Sequence, residues 1–383
     1  MTDSAAARAD PAAGRPEPGS VAARLDRIRG RSAPVPHHAR TLAALAGNPA
    51  CTRRAVLDAA GVDKPALAAH VGHPAAYGQS PFAIGRGRAF EARLKADGYA
   101  ALRALVAEKL PEARVAGPVL DLGTDGDNAQ RYRRTREALR GDGPADLVDH
   151  PMLRLTVAGQ PVYLEPDLVA CRVAERLHVV EIKSFPVLDG RADPVKVTAA
   201  ATQAAVYVLA LRELRAGCGA DPSAVSADAL LVCPRDFGQQ PTVAVLDLRR
   251  QLAVLHRQLA RMADVATLLA DVPEDLTLDL GGGAGPPRRP GEVSAALGAL
   301  PARYTPDCLA SCDLALHCRA EARGTTAALG AAVREDLGGV PDVASVLALA
   351  GGAPCADPAA AEAAALLRAA ARLRAEALAA APA

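Results

Sequence analysis

The spacing of apolar and polar positions changes character along the chain. From 40 to 140, apolar residues recur at helical intervals. Residues 40–46 and 51–60 predict short helices separated by Asn48-Pro49. Residues 85–110 (GRGRAFEARLKADGYAALRALVAEKL) predict one long amphipathic helix, with Phe90, Leu94, Leu102, Leu105 and Val106 on its apolar face. A polar loop from Asp121 to Asn128 leads into an Arg-rich helix at 129–140. From 151 the period shortens. Residues 151–157 and 161–171 predict two strands of a hairpin joined by Ala158-Gly159-Gln160. Residues 177–184 (LHVVEIKS), apolar until Glu181, predict a third strand after a turn at Ala174 and Glu175. A helix at 195–216, strands at 227–233 and 241–247, and a helix at 248–271 follow. This order predicts an α/β fold, a mixed central β-sheet flanked by helices.

The flanks are expected to be different in kind. Residues 1–35 are expected as a disordered tail, since the first 20 are Ala/Pro/Gly/Arg-rich without an apolar period. A helical segment carrying Cys51 spans 36–80, ahead of the α/β core at 80–275. A Gly/Pro linker is expected at 276–292, around LGGGAGPPRRPG. A Cys-rich segment (293–325) and an Ala-rich helical region (326–383) complete the chain. The last helix, from 357, places Leu366, Leu367, Leu373 and Leu378 near one stripe.

Composition sharpens this picture. Half of the 383 residues are hydrophobic, enough for a sizeable core. The 44 basic and 43 acidic residues nearly cancel, which excludes a histone-like or strongly acidic chain and leaves room for a local basic groove. Runs of about 18 uncharged apolar residues are absent, and the first 20 residues lack an apolar signal core, so the expected location is the cytoplasm. Arg and Ala are abundant, as from a high-GC coding bias. Lysine occurs only at 64, 95, 109, 183 and 196. Lys, Gln, Tyr, Phe and Cys therefore carry more information than Arg or Ala.

The segment LEPDLVACRVAERLHVVEIKSF concentrates the chemistry. Asp167 lies in one predicted strand and Glu181 and Lys183 in the next. Alternation puts Glu181 and Lys183 on one face, and pairing of the strands brings Asp167 close to them. Charges beside Val179, Val180 and Ile182 are costly to bury unless compensated. A divalent metal between the carboxylates compensates them. Mg²⁺ prefers carboxylate and carbonyl oxygens and, once bound, polarises a phosphoryl oxygen and activates water.

With these residues the sequence resembles the PD-(D/E)xK nuclease superfamily. The pattern is Glu165-Pro166-Asp167 followed by Glu181-Ile182-Lys183. Gln203 and Tyr207, one helical turn apart in TQAAVYVLA, look like the Q-x-x-x-Y motif of the RecB-like exonuclease branch. Gly85 to Glu91 resembles the Gly-rich start of that branch's first core helix. The resemblance covers about two thirds of the chain. It implies a restriction-endonuclease-like core and Mg²⁺- or Mn²⁺-dependent hydrolysis of DNA, as an exonuclease on single strands or ends. It implies Asp167, Glu181, the Ile182 carbonyl and Glu91 as metal ligands and Lys183 as the residue that orients or activates water. Gln203 and Tyr207 would shape the site and touch the DNA backbone, with Arg86 and Arg88 as further DNA contacts. Without a Walker motif, any helicase partner is a separate chain.

The cysteines add a second constellation. Cys308, Cys312 and Cys318 are spaced C-x3-C-x5-C, and Cys51 lies far upstream. Four thiolates hold zinc or a [4Fe–4S] cluster. The arrangement resembles RecB-like nucleases with an iron–sulfur staple, the AddB and CRISPR-associated type. There, one Cys precedes the core and three follow, often as C-x2-C-x5-C, so one extra residue separates the first pair here. Arg53, Arg54 and Leu57 resemble the C-x-R-x-x-L context behind the first ligand. The resemblance implies a [4Fe–4S] cluster on Cys51, Cys308, Cys312 and Cys318, clipping the chain ends together. Zinc, with His317 or Cys51 as fourth ligand, is the alternative. Cys171, Cys218, Cys233 and Cys355 are expected as buried hydrophobic residues.

Other residues carry weaker expectations. RYRRTR (131–136) either grips phosphates or forms a solvated helix face. Arg249, Arg250, Arg257 and Arg261 are expected on an exposed face, and His37, His38, His70 and His73 as ordinary residues. Two other function classes remain at this point. One is a catalytically silent module that binds nucleic acid or a helicase. The other is a redox-sensing iron–sulfur DNA-binding protein.

Overall fold

The computed structural model describes residues 19–75, 81–113, 115, 117–140, 145–157, 160–173, 176–281, 286–355 and 357–380. The expected turns at 158–159 and 174–175, most of the glycine run at 281–283 and the first 18 residues lie outside them.

A six-stranded mixed sheet organises the fold. Its order is β1 (Val119–Asp121), β2 (Leu147–Asp149), β5 (Leu168–Val173), β6 (Arg176–Ile182), β7 (Asp228–Pro234), β8 (Pro241–Asp247). The β1–β2 and β6–β7 pairs are parallel and the other neighbours antiparallel. A two-stranded ribbon, β3 (Leu153–Val157) with β4 (Gln160–Leu164), stands apart from the sheet. The single strand expected at 161–171 is therefore two. The break falls at Glu165-Pro166-Asp167, where Pro166 has no N–H to continue a ladder. The chain leaves the ribbon there and enters the sheet.

Before β1 the chain forms α1 (Val21–Arg29), α2 (Ala39–Gly47), α3 (Thr52–Ala60), α4 (Lys64–His70), α5 (Pro81–Lys95) and α6 (Ala100–Lys109). α7 (Asn128–Ala138) follows β1, α8 (Pro194–Gly217) connects β6 to β7, and α9 (Arg249–Ala263) and α10 (Val265–Leu269) follow β8. α8 is a crossover between parallel strands, as a βαβ unit requires. It has the length and apolarity of a membrane span. Here its Ala204, Ala205, Val208 and Leu211 are buried against Val169 and Val179 of the sheet, with β3–β4, α2 and α9 completing that layer. The other face is covered by α5 and α6 through Phe90, Leu94, Tyr99, Leu102 and Val106 on Leu147, Leu168, Val180 and Leu230. Each such side chain contributes about 1.5–3 kcal/mol of apolar burial.

The helix expected at 85–110 is broken. Asp97, Gly98 and Tyr99 adopt left-handed φ values of 53°, 61° and 63° between α5 and α6. The apolar positions before and after the break keep contact with one sheet face, which a straight helix of that length overshoots. The helix expected at 248–271 also divides, at Asp264, whose side chain caps α10 by accepting from Thr267 N–H.

The tail expected to be disordered through residue 35 is ordered from Ser20, which caps α1. Ile28 is buried with Val56, Leu57 and Leu278. The single apolar stripe of α1 is short, and it packs on α3 together with a partner distant in sequence. That partner is the segment expected as a free linker. Leu276 and Leu278 are buried, and Leu278 N–H donates to the Ile28 carbonyl at 2.8 Å. α11 (Pro290–Gly298) then begins inside the expected linker. α12 (Cys308–Ser311) and α13 (Ala315–Glu321) carry the cysteines into the same layer. α14 (Ala331–Asp336), α15 (Val343–Ala350) and α16 (Ala361–Ala380) follow, with a small core of Val340, Val346, Leu349 and Ala364. Leu366, Leu373 and Leu378 are exposed on α16.

Candidate active site and cysteine cluster

The central strands bring Asp167, Glu181 and Lys183 together. Leu168 of β5 pairs with Val180 of β6, so the next step of the same register sets Asp167 against Glu181. Glu181 has the same parity as Val179 and faces α8. Lys183 follows β6 directly, and its N–H donates to the Val232 carbonyl of β7 at 2.9 Å. Asp167 Oδ2 accepts from Ile182 N–H at 2.7 Å, which cross-links the ends of both strands.

Glu181 is completely buried, and Lys183 Nζ is in direct contact with its Oε1. Its Oε2 has no hydrogen-bond partner among the described residues. Burial pushes the Glu181 carboxyl up to about 7, with Lys183 pulling against it and Asp167 adding to it. Burial also raises Asp167, again opposed by Lys183. The Lys183 ammonium is held charged by Glu181 and Asp167 against the cost of its own desolvation. Two carboxyls thus share one cation, and both are starved of positive charge.

Gln203 and Tyr207 lie above this group on α8. Gln203 Nε2 donates to the Tyr207 hydroxyl at 3.0 Å. Tyr207 is buried, and its hydroxyl is held protonated by burial first and the nearby Glu181 charge second. Arg86 sits on α5 and donates to the Ser184 carbonyl, one residue past Lys183, at 2.9 Å. Arg88 is exposed on the same helix. Arg40 of α2 acts on Lys183 from another side.

Glu91 also lies near Asp167, whose carboxyl it helps to raise. Its own carboxylate is held at 2.9 Å by Lys95. Glu91, Asp167 and Glu181 do not bring three ligand atoms within 4.8 Å of one another. Asp167 and Glu181 are therefore the assembled pair, and Glu91 stands beside them in an ion pair.

Sequence reasoning did not foresee that Lys95, Asp121, Asp149 and His150 gather beside this site, with Glu165 of the Glu165-Pro166-Asp167 pattern and Arg131 of RYRRTR behind them. Asp121 and Asp149 are register partners at the ends of parallel β1 and β2. Arg131 is buried and bonds Glu165 at 2.6 Å, so it is a structural partner rather than a free phosphate contact. Arg136 similarly donates to the Gly217 carbonyl. Lysine scarcity was the available signal for Lys95. Asp149-His150 carried none, because the two residues are distant from every motif in sequence. Arg249, Arg250, Arg257 and Arg261 are exposed, as expected.

Cys308, Cys312 and Cys318 are all buried in the layer with Tyr304, Leu314 and Leu57. Cys51 is half-buried at the N-cap of α3. Asn48 links the two segments by donating from Nδ2 to Cys308 Sγ at 3.3 Å. Arg53, buried behind Cys51, donates to Cys318 Sγ at 3.3 Å and forms a two-pronged pair with Glu321. Arg54 pairs with Asp58 and donates to the Ser311 carbonyl. Burial raises Cys318 to about 12, opposed by Arg53 and increased by Cys312. Cys312 is raised by burial and by Cys308. The three thiols therefore sense one another in an apolar pocket with a guanidinium ready to stabilise a thiolate, a donor set that fits a metal–sulfur group. No three of the four sulfurs lie within 4.8 Å of one another. His317 lies 3.3 Å from Glu321 and packs its ring edge-on against His73. Cys233 is buried as expected, Cys218 and Cys355 are half-buried, and the Cys171 side chain lies outside the described residues.

A scan of protein-family models found no match to this chain, and a search of curated proteins found none either.

Proposed function

We propose that this protein is a metal-dependent DNA nuclease of the RecB-like PD-(D/E)xK kind, with a structural [4Fe–4S] cluster on Cys51, Cys308, Cys312 and Cys318. The observation that carries the reading is the buried Glu181. Among the described residues its carboxylate has Lys183 as cationic contact, an unpartnered oxygen and Asp167 across the ladder. A buried charge left this way is expensive, and a dication against Asp167, Glu181 and the Ile182 carbonyl relieves it. When bound, Mg²⁺ or Mn²⁺ there supplies Lewis acidity to the scissile phosphate and its attacking water.

The protein's own groups supply the rest. Lys183, kept protonated by its two carboxylates, orients the water and offsets developing negative charge rather than acting as a base. Gln203 fixes the Tyr207 hydroxyl toward the backbone of a bound strand. Arg86, Arg88 and Arg40 line the approach with positive charge. The proposed substrate is single-stranded DNA or a DNA end, in repair or defence in the cytoplasm, with any helicase on a separate chain.

The test is end-labelled single- and double-stranded DNA with anaerobically purified protein, in Mg²⁺, Mn²⁺ or EDTA. Metal-dependent cleavage that Lys183→Ala and Asp167→Ala both abolish is the expected result. Unchanged cleavage in those variants refutes it. DNA binding without cleavage by an iron-loaded protein favours a binding or redox-sensing module instead.

A further inference from the structure

We propose that Lys95 occupies a latent second cation site made by Glu91, Asp121, Asp149 and His150, so that the protein takes one divalent ion where these acceptors without Lys95 take another. The count of one rests on the nuclease reading; the second site does not. The Lys95 ammonium lies 2.9 Å from Glu91 Oε1, 3.2 Å from Asp149 Oδ1 and 3.0 Å from His150 Nε2. An ammonium has three N–H donors, and these three acceptors use them all. A cation thus already sits among two carboxylates and an imidazole.

The imidazole is oriented as a metal ligand is. To accept from Lys95, Nε2 must present its lone pair, which places the ring proton on Nδ1. Nδ1 lies 3.2 Å from Glu165 Oε1, and Arg131 holds Glu165 at 2.6 Å. A carboxylate behind the far nitrogen fixes tautomer and ring orientation in metal sites. Asp121, Asp149 and His150 each offer a ligand atom, all within 4.8 Å of one another. Carboxylate oxygens with one imidazole accept first-row divalent ions in general, and Mn²⁺ is the spectroscopic probe among them.

The site adjoins the Asp167–Glu181 pair, since Glu91 and Lys95 both act on Asp167, but Asp149 and Glu181 lie on opposite faces of the sheet. Asp149 has the parity of Leu147, which packs under α5 and α6, whereas Glu181 has the parity of Val179, under α8. Leu168 stands between them in the ladder, paired with both Asp149 and Val180. The backbone around Lys95 is strained: Asp97, Tyr99 and His150 have φ of 53°, 63° and 53°, a conformation that costs energy and persists where the surroundings over-determine it. The buried Tyr99 hydroxyl makes no hydrogen bond of ordinary length among the described residues and faces Asp149, whose charge and longer hydrogen bond, after burial, hold it protonated.

The test counts bound Mn²⁺ in the full chain, by the EPR signal of the free ion. Wild type should bind one, lost in Asp167→Asn. Lys95→Ala should bind two, and adding Asp149→Asn should remove the second while sparing the first. Lys95→Met, which keeps the stem's packing, serves if circular dichroism shows Lys95→Ala unfolded. The inference is overturned if a folded Lys95 variant binds no more Mn²⁺ than wild type. It is overturned equally if wild type binds two and Asp149→Asn loses one. A wild type that binds none, with a Lys95 variant that gains one ion sensitive to Asp149→Asn, sinks the nuclease reading and leaves the latent site standing.

Discussion

Glu181→Gln isolates the energetic cost of the central carboxylate. In the folded protein the group titrates near 7 rather than 4.5, because it is fully buried with Lys183 as its one cationic contact. A folded-state value above the unfolded one means the native protein holds the proton more tightly. The stabilisation from that proton is complete below the unfolded value and is lost as pH rises through about 7. At about 1.4 kcal/mol per pKa unit, the loss amounts to about 3 kcal/mol, with no solvent to screen it. The Glu181→Gln amide carries no ionisable proton, and Lys183 keeps Asp167 as counter-charge. Urea unfolding of metal-free protein between pH 4 and pH 8 should therefore show the variant gaining about 3 kcal/mol on wild type across that range. The comparison cancels the histidines, among them His178 and His317, whose lowered values change stability in the opposite direction. Excess Mn²⁺ at pH 8 should restore wild type and leave the variant unmoved. A flat difference across the range would refute the account of Glu181 as a buried, under-compensated charge.

Two further outcomes follow from the outer layer. Ile28→Ala should cost about 2–5 kcal/mol in chemical denaturation, as for other fully buried aliphatic side chains, whereas a disordered tail predicts no change. Arg53→Gln removes the guanidinium from Cys318 Sγ, so iron per chain after anaerobic reconstitution should fall several-fold while the fold, read by circular dichroism, persists; unaltered iron content would show that Arg53 serves Glu321 alone.

Much of the buried carboxylate pair was legible because strand pairing is local. Asp167 and Glu181 lie on consecutive strands, so alternation and a short turn suffice to place them together. Gln203 and Tyr207 were legible for the same reason on a helix. The element boundaries that went unread are those set by distant partners. The break at Asp97-Gly98-Tyr99 lets α5 and α6 both keep their apolar residues on one face of the sheet, and no proline marks it. The division at Pro166 separates two sheets, and a run of residues with strand character gives no sign of which ladder each half will join.

The chain's own pattern determined the α/β class, the order of the central elements, the Asp167–Glu181–Lys183 grouping and the clustering of Cys308, Cys312 and Cys318. These depend on periodicity and on neighbours close in sequence. Tertiary structure alone decided that Ile28 packs on Leu278, that Arg53 reaches Cys318, and that Lys95 sits among Glu91, Asp149 and His150. Apart from the Glu91–Lys95 pair, each of those contacts joins segments tens to hundreds of residues apart. Their partners are chosen by which buried charge or apolar face is left uncovered once the sheet has formed, and that remainder is a property of the folded whole.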